Sequence, residues 1–217
     1  MNSLWRIGTD NYDVFVKKGN PDKSSYVVNI LVDNSGSMND SVTYRRTKFD
    51  YAKASCAILE EGLKGIVPFR ISFFCTDDWG SDIVHGVISD FGDNDSFNRT
   101  WGADIQPMGA NADSYSIRVA TKELLKRPED KKILFVLSDG LPVLYDSTEE
   151  AIIAVQNAVR DARKAGVIVI AICFGSEAHL QRTRDSYQRM YQHGIVMTSP
   201  ENVPMMLAKV LASEINR

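Results

Sequence analysis

Paired cysteines are missing from this chain. Its three cysteines, Cys56, Cys75 and Cys173, each fall inside an apolar run, and none stands at disulfide or metal-ligand spacing. They read as reduced core residues of an intracellular protein. A basic surplus is missing too. With 25 Lys and Arg against 28 Asp and Glu, the net charge is −3, so the counterion release that drives nucleic-acid binding has little footing. No run of eighteen apolar residues occurs, which argues against a bilayer-spanning helix. The opening Met1-Asn-Ser-Leu-Trp5 lacks the basic stretch and apolar core of a signal peptide. For an unsecreted chain the Asn-x-Ser/Thr matches at Asn39 and Asn98 then carry little weight. Neither Gly-x-x-x-x-Gly-Lys-Ser/Thr nor Gly-x-Gly-x-x-Gly is present, so nothing supports ATP or dinucleotide binding. The expectation is a cytoplasmic protein whose partners include neither nucleic acid nor membrane.

What is present is enough apolar material for one domain: 217 residues, 44% hydrophobic. Residues 1–25 read as a polar lead-in, with a short strand near 12–17 that would serve as a sheet edge. Residues 26–217 read as a single domain. Apolar runs at 26–32, 69–75, 131–137 and 167–174 have strand character, the last uninterrupted by polar residues as a central parallel strand requires. A shorter run at 83–88 follows the second too closely for a helical crossover, so the two form an antiparallel pair at the sheet edge. Between the strands, apolar residues recur at intervals of three and four: Phe49, Ala52, Cys56, Leu59 and Leu63; then Ile117, Ala120, Thr121 and Leu124; then Ile152, Val155, Val159 and Ala162. Ser147 with Glu150 reads as a capping box. Residues 195–197 make a last strand, and Ser199-Pro200 opens a closing helix with Val203, Met206, Leu207, Val210 and Leu211 inward. This alternation predicts an α/β fold, a mostly parallel sheet with helices on both faces.

The first strand ends at Asp33, and Ser35 and Ser37 follow at alternate positions around Gly36. In an open α/β sheet, ligands bind where the carboxyl ends of the strands meet solvent. Asp-x-Ser-Gly-Ser there reads as an oxygen-rich cup for a hard divalent cation, although Asp, Asn and Ser are also the residues that cap and turn. Asp139 ends a second buried strand in the same way. Two carboxylates at one sheet edge repel unless a cation lies between them. Asn111 and Asp113 open a helix at that edge, either as ordinary caps or as a third ligand. Between residues 77 and 113, eight Asp face a single Arg99, a middle that would attract cations or a basic surface. His85 reads as a surface or packed strand residue rather than a ligand.

From residue 26 onward the chain resembles the von Willebrand factor A family, on Asp33-x-Ser35-x-Ser37 and Ser138-Asp139-Gly140. The resemblance implies a Rossmann-like, doubly wound sheet and a metal-ion-dependent adhesion site. Ser35 and Ser37 would bind Mg2+ directly, with Mn2+ and Ca2+ as alternatives, and Asp33 and Asp139 would act directly or through water. A partner protein's carboxylate would complete the shell. Where the family commonly has Gly-Gly-Thr, this chain has Gly109-Ala110-Asn111 with Asp113 two residues on, so the third ligand is either Asn111 or Asp113. Asn111-x-Asp113, followed by Ile117-Arg118-Val-Ala-Thr-Lys122 and Leu137-Ser-Asp-Gly-Leu-Pro142, is most similar to the intracellular branch of cobaltochelatase subunits and nitric-oxide-reductase activation proteins, which implies work beside an AAA-type ATPase. The first expectation is thus a non-catalytic, metal-dependent interaction module. A metal-dependent phosphohydrolase would use the same cup but needs a nearby general base, and a metal-free structural domain would need no cation.

Overall fold

The computed structural model describes residues 25–77, 82–91, 105–143 and 145–215. The strand expected near 12–17 and all of 92–104 lie outside the described residues. In chain order the elements are β1 (Tyr26–Asp33), a 3-10 turn (Gly36–Asn39), β2 (Ser41–Thr43), β3 (Arg46–Thr47), α1 (Lys48–Leu63), β4 (Phe69–Thr76) and β5 (Ile83–Ser89). Then come α2 (Asp113–Leu125), β6 (Lys131–Ser138), α3 (Thr148–Lys164), β7 (Val167–Phe174), α4 (Glu177–Tyr191), β8 (Ile195–Thr198), a second 3-10 turn (Pro200–Asn202) and α5 (Val203–Ile215).

Six strands form one sheet in the order β5-β4-β1-β6-β7-β8. All neighbours are parallel except β4 and β5, the antiparallel edge pair. The strands are apolar on both faces because helices cover both. Side chains alternate along a strand, so Val28, Ile30 and Val32 of β1 pack with Phe49, Cys56 and Leu59 of α1 and Leu207 and Leu211 of α5. Val27 and Leu31 point the other way, into Ile117 and Leu124 of α2, Val155 and Val159 of α3, and Tyr187 and Tyr191 of α4. The three cysteines are buried and none forms a disulfide, as expected of core residues.

Several local expectations change. The helix α2 begins at Asp113 behind Ala112, which offers no side-chain cap, so neither Asn111 nor Asp113 caps it. Ser147 accepts from the Glu150 N–H at 3.2 Å, whereas the reciprocal capping box is built by Thr47 and Asp50 at the start of α1. Pro200 opens a 3-10 turn rather than the closing helix, which starts at Val203. Met206 and Val210 of that helix are half-buried, with Val210 packed against the core as expected. The small β2-β3 hairpin has no counterpart in the sequence pattern. Among the described residues no helix is long and apolar enough to cross a membrane.

Candidate metal centre

Parallel pairing of β1 with β4 and β6 brings the carboxyl ends of the three strands together. Asp33, the last residue of β1, therefore lies beside Ser138, the last of β6, with Asp139 following. Three backbone bonds then stitch the loop before α2 across this edge: Gly36 N–H donates to Gly109 O at 3.0 Å, Thr76 N–H to Ala110 O at 2.7 Å, and Met108 N–H to Asn34 O at 2.9 Å. Gly109 must be glycine. Its φ is +57°, and a Cβ there would lie 2.2 Å from Thr76 O.

These constraints converge Asp33, Ser35, Ser37, Asp113 and Asp139. Asp33 is fully buried, Asp139 is 1% exposed and Asp113 4%. One Asp33 oxygen accepts from the Ser35 N–H at 2.8 Å and the other from Ser138 Oγ at 2.8 Å. Ser35 Oγ and Ser37 Oγ stand 3.3 Å apart, and Ser37 Oγ donates to Asp139 Oδ1 at 2.7 Å. The other Asp139 oxygen accepts from Lys48 Nζ at 2.6 Å.

Asn111 and Asp113 separate in role. Asn111 clips two loops together, its Nδ2 donating to Leu141 O at 3.0 Å and its Oδ1 accepting from the Val143 N–H at 3.1 Å. Asp113 Oδ2 is buried without a hydrogen-bond partner. An unsatisfied buried carboxylate oxygen is costly.

The electrostatics match this crowding. Burial pushes the Asp33 carboxyl up to about 6, the Asp139 charge adds to it, and hydrogen bonds from Ser35 and Ser138 hold it back. Burial, then the charges of Asp33 and Asp139, raise Asp113 well above the ordinary carboxylate range. A cation among these groups would relieve both causes. Among the described residues no three His, Cys, Asp or Glu side chains form a ready-made metal cage. The cup offers two hydroxyls and a few carboxylates instead, a donor set that fits a hard cation keeping several of its waters.

Three contributors were not among the expected ligands. Ser138 anchors Asp33, and the buried Tyr187 hydroxyl donates to Gly140 O at 2.7 Å, holding the loop that carries Asp139. Lys48 is the third. A lysine in the first turn of a helix runs against the helix dipole, and that oddity was the available signal. His85, as expected, is a packed strand residue, its Nε2 2.9 Å from Ser116 Oγ.

Residues 102–212, just over half of the chain, match the family described as the cobalamin biosynthesis protein CobT VWA domain. The chain belongs to that family. Solved structures with the VWA domain's fold agree with the sheet described above. The SpRpn10 VWA domain matches with a TM-score of 0.58 at 18% identity, over 83% of this chain and 93% of that one. The PilB minor pilin from Streptococcus sanguinis gives 0.66 at 14% identity, over 88% and 61%. An aerotolerance-related membrane protein from Bacteroides fragilis NCTC 9343 gives 0.62 at 15%, over 88% and 98%. At these identities the likeness is one of fold. In sequence, the VWA domain is 30% identical over 222 residues to the uncharacterized protein YojO of Bacillus subtilis (strain 168), covering 97% of this chain and 33% of that protein. It thus spans about a third of the length of the curated relative it matches. VWA domains typically mediate protein–protein interaction.

Proposed function

We propose that the cup is a metal-ion-dependent adhesion site and that the domain is a docking module. In this reading Mg2+, with Mn2+ and Ca2+ as alternatives, sits among Ser35, Ser37, Asp33 and Asp139, with Asp113 rather than Asn111 as the third-loop ligand. The observation that carries the reading is the charge count at the sheet edge: three buried carboxylates, Asp33, Asp113 and Asp139, against the single ammonium of Lys48. The orphaned Asp113 oxygen supports the choice of third ligand, because Asn111 already spends its amide on Leu141 and Val143. When bound, the cation supplies a vacant coordination position for a carboxylate of the partner protein. Hydrogen bonding of His85 to Ser116 rather than to the cup favours docking over phosphate hydrolysis, which needs a general base there.

The partner we propose is an AAA-type ATPase in chelatase-like or enzyme-activation machinery, with the domain as the non-catalytic, cytoplasmic part. Membership of the CobT VWA domain family supports this choice. The test is affinity capture from a native lysate in Mg2+ or in EDTA, with the parent and Asp33→Ala side by side. An ATPase of this class should be captured only by the parent and only with metal. Equal capture by Asp33→Ala, or in EDTA, would sink the adhesion-site reading. A metal-dependent catch without such an ATPase would sink the choice of partner alone. Mg2+ at ~100 times Kd should also raise the parent's Tm by about 5–10 °C, and leave Asp33→Ala unmoved.

A further inference from the structure

Lys48 is the one basic side chain hydrogen-bonded to the acidic cup among the described residues, and its ammonium is fully engaged. Nζ lies 2.6 Å from Asp139 Oδ2, 2.7 Å from Asp40 Oδ2 and 3.4 Å from Ser37 O. The two carboxylates differ sharply: Asp139 is 1% exposed, Asp40 65%. The lysine therefore bridges a buried acid of the cup and an exposed acid outside it. Its position is held by the fold, because the Lys48 N–H donates to Asp40 O at 3.1 Å and Thr47 caps the helix at the preceding residue.

We propose that Lys48 is a tethered counter-ion that neutralises Asp139 in the metal-free protein and exchanges places with the divalent cation on loading, withdrawing to Asp40. This rests on the adhesion-site reading and deepens it. Ser37 Oγ donates to one oxygen of Asp139 and Lys48 to the other, so both oxygens of the acid are engaged by the chain's own groups. A divalent ion taken up at Ser37 and Asp139 competes for those same oxygens and repels the neighbouring ammonium. Asp40 gives the displaced charge an exposed partner within one side-chain swing, since it already shares the ammonium. The tether thereby weakens metal affinity, sets it by competition, and moves charge at the rim of the docking face when the metal enters.

The exchange is tested by calorimetric Mg2+ titration of the parent, Lys48→Met, Lys48→Gln and Asp33→Ala, each melted in EDTA to establish folding. Removing the ammonium should tighten Mg2+ binding roughly ten-fold in both Lys48 variants, while Asp33→Ala binds none. Amine acylation read by mass spectrometry gives a measurement that needs no substitution: Lys48 of the parent should label faster at saturating Mg2+ than in EDTA. Equal or weaker Mg2+ affinity in the folded Lys48 variants, or Lys48 labelling unchanged by metal, overturns the exchange while leaving the adhesion site standing if Asp33→Ala still loses binding. No Mg2+ binding by the parent and both Lys48 variants overturns the site and the exchange together. Binding by the variants alone overturns the exchange, since the lysine then excludes the metal instead of yielding to it.

Discussion

The two ends of the same sheet handle charge in opposite ways. At the amino end of β1 and β6, Lys131 donates to the Tyr26 hydroxyl at 2.7 Å and lies 4.8 Å from that ring's centre. Arg127 pairs with Glu129 at 2.7 Å nearby, and Lys132 bonds the Glu129 carbonyl. Each of these three cations meets an acceptor, and the side chains are partly solvated. At the carboxyl end three acids are buried with one lysine among them, and one carboxylate oxygen has no partner. Charges at the first end fasten the domain. Those at the second are held apart from water, a burial of like charges that folding alone does not repay and that the proposed cation would offset.

The comparison breaks most sharply at Gly109, which brings the third loop to the acidic end. A methyl group would meet Thr76 O at 2.2 Å at a φ of +57°, so Gly109→Ala should cost about 3 kcal/mol in urea unfolding and blunt the Mg2+-induced rise in Tm. A loss under about 1 kcal/mol would show that the loop yields and does not fix the cup.

Glu60 sharpens the contrast from a third place, three turns down α1. It is a buried acid whose Oε2 lacks a partner. Burial, then the Glu61 charge, push its carboxyl up to about 7, with Lys64 opposing. The folded chain thus keeps a proton that the unfolded chain releases from about pH 4.5 upward, so this group makes stability fall as pH rises to about 7 and stay lower above it. Glu60→Gln should match the parent at pH 4.5 and exceed it at pH 8 by on the order of 1 kcal/mol, with Mg2+ affinity unchanged. Parallel pH profiles for the two proteins would refute this. The smallest effect belongs to the opposite end: Lys131→Met should change stability by no more than ~0.5 kcal/mol and leave the Mg2+ response intact. A lost metal response there would erase the division between the two ends.

Much of the framework was legible because it rests on period and run length. The uninterrupted run of β7, the close spacing of β4 and β5, and the inner face of α3 at Ile152, Val155, Val159 and Ala162 all follow from which residues must leave water. The β2-β3 hairpin was not legible. Its strands are three and two residues long, too short to carry a period, and the connection is closed by Lys48 N–H bonding Asp40 O. At the cup, Asp33, Ser35, Ser37 and Asp139 stood out as ligand types at strand exits. Asn111 and Asp113 could not be ranked, because the ranking depends on Leu141 and Val143, thirty and more positions along the chain.

The order of apolar runs and breaks by itself determined the layered α/β arrangement and sent Asp33 and Asp139 to one edge, since parallel strands share an exit direction. Tertiary structure alone decided that Ser138 anchors Asp33, that Tyr187 braces Gly140 and that Lys48 sits on Asp139. Hydrophobic burial leaves a period that can be read along a chain, whereas a hydrogen bond between residues 91 positions apart leaves none. Its partners are chosen by the geometry of elements already packed.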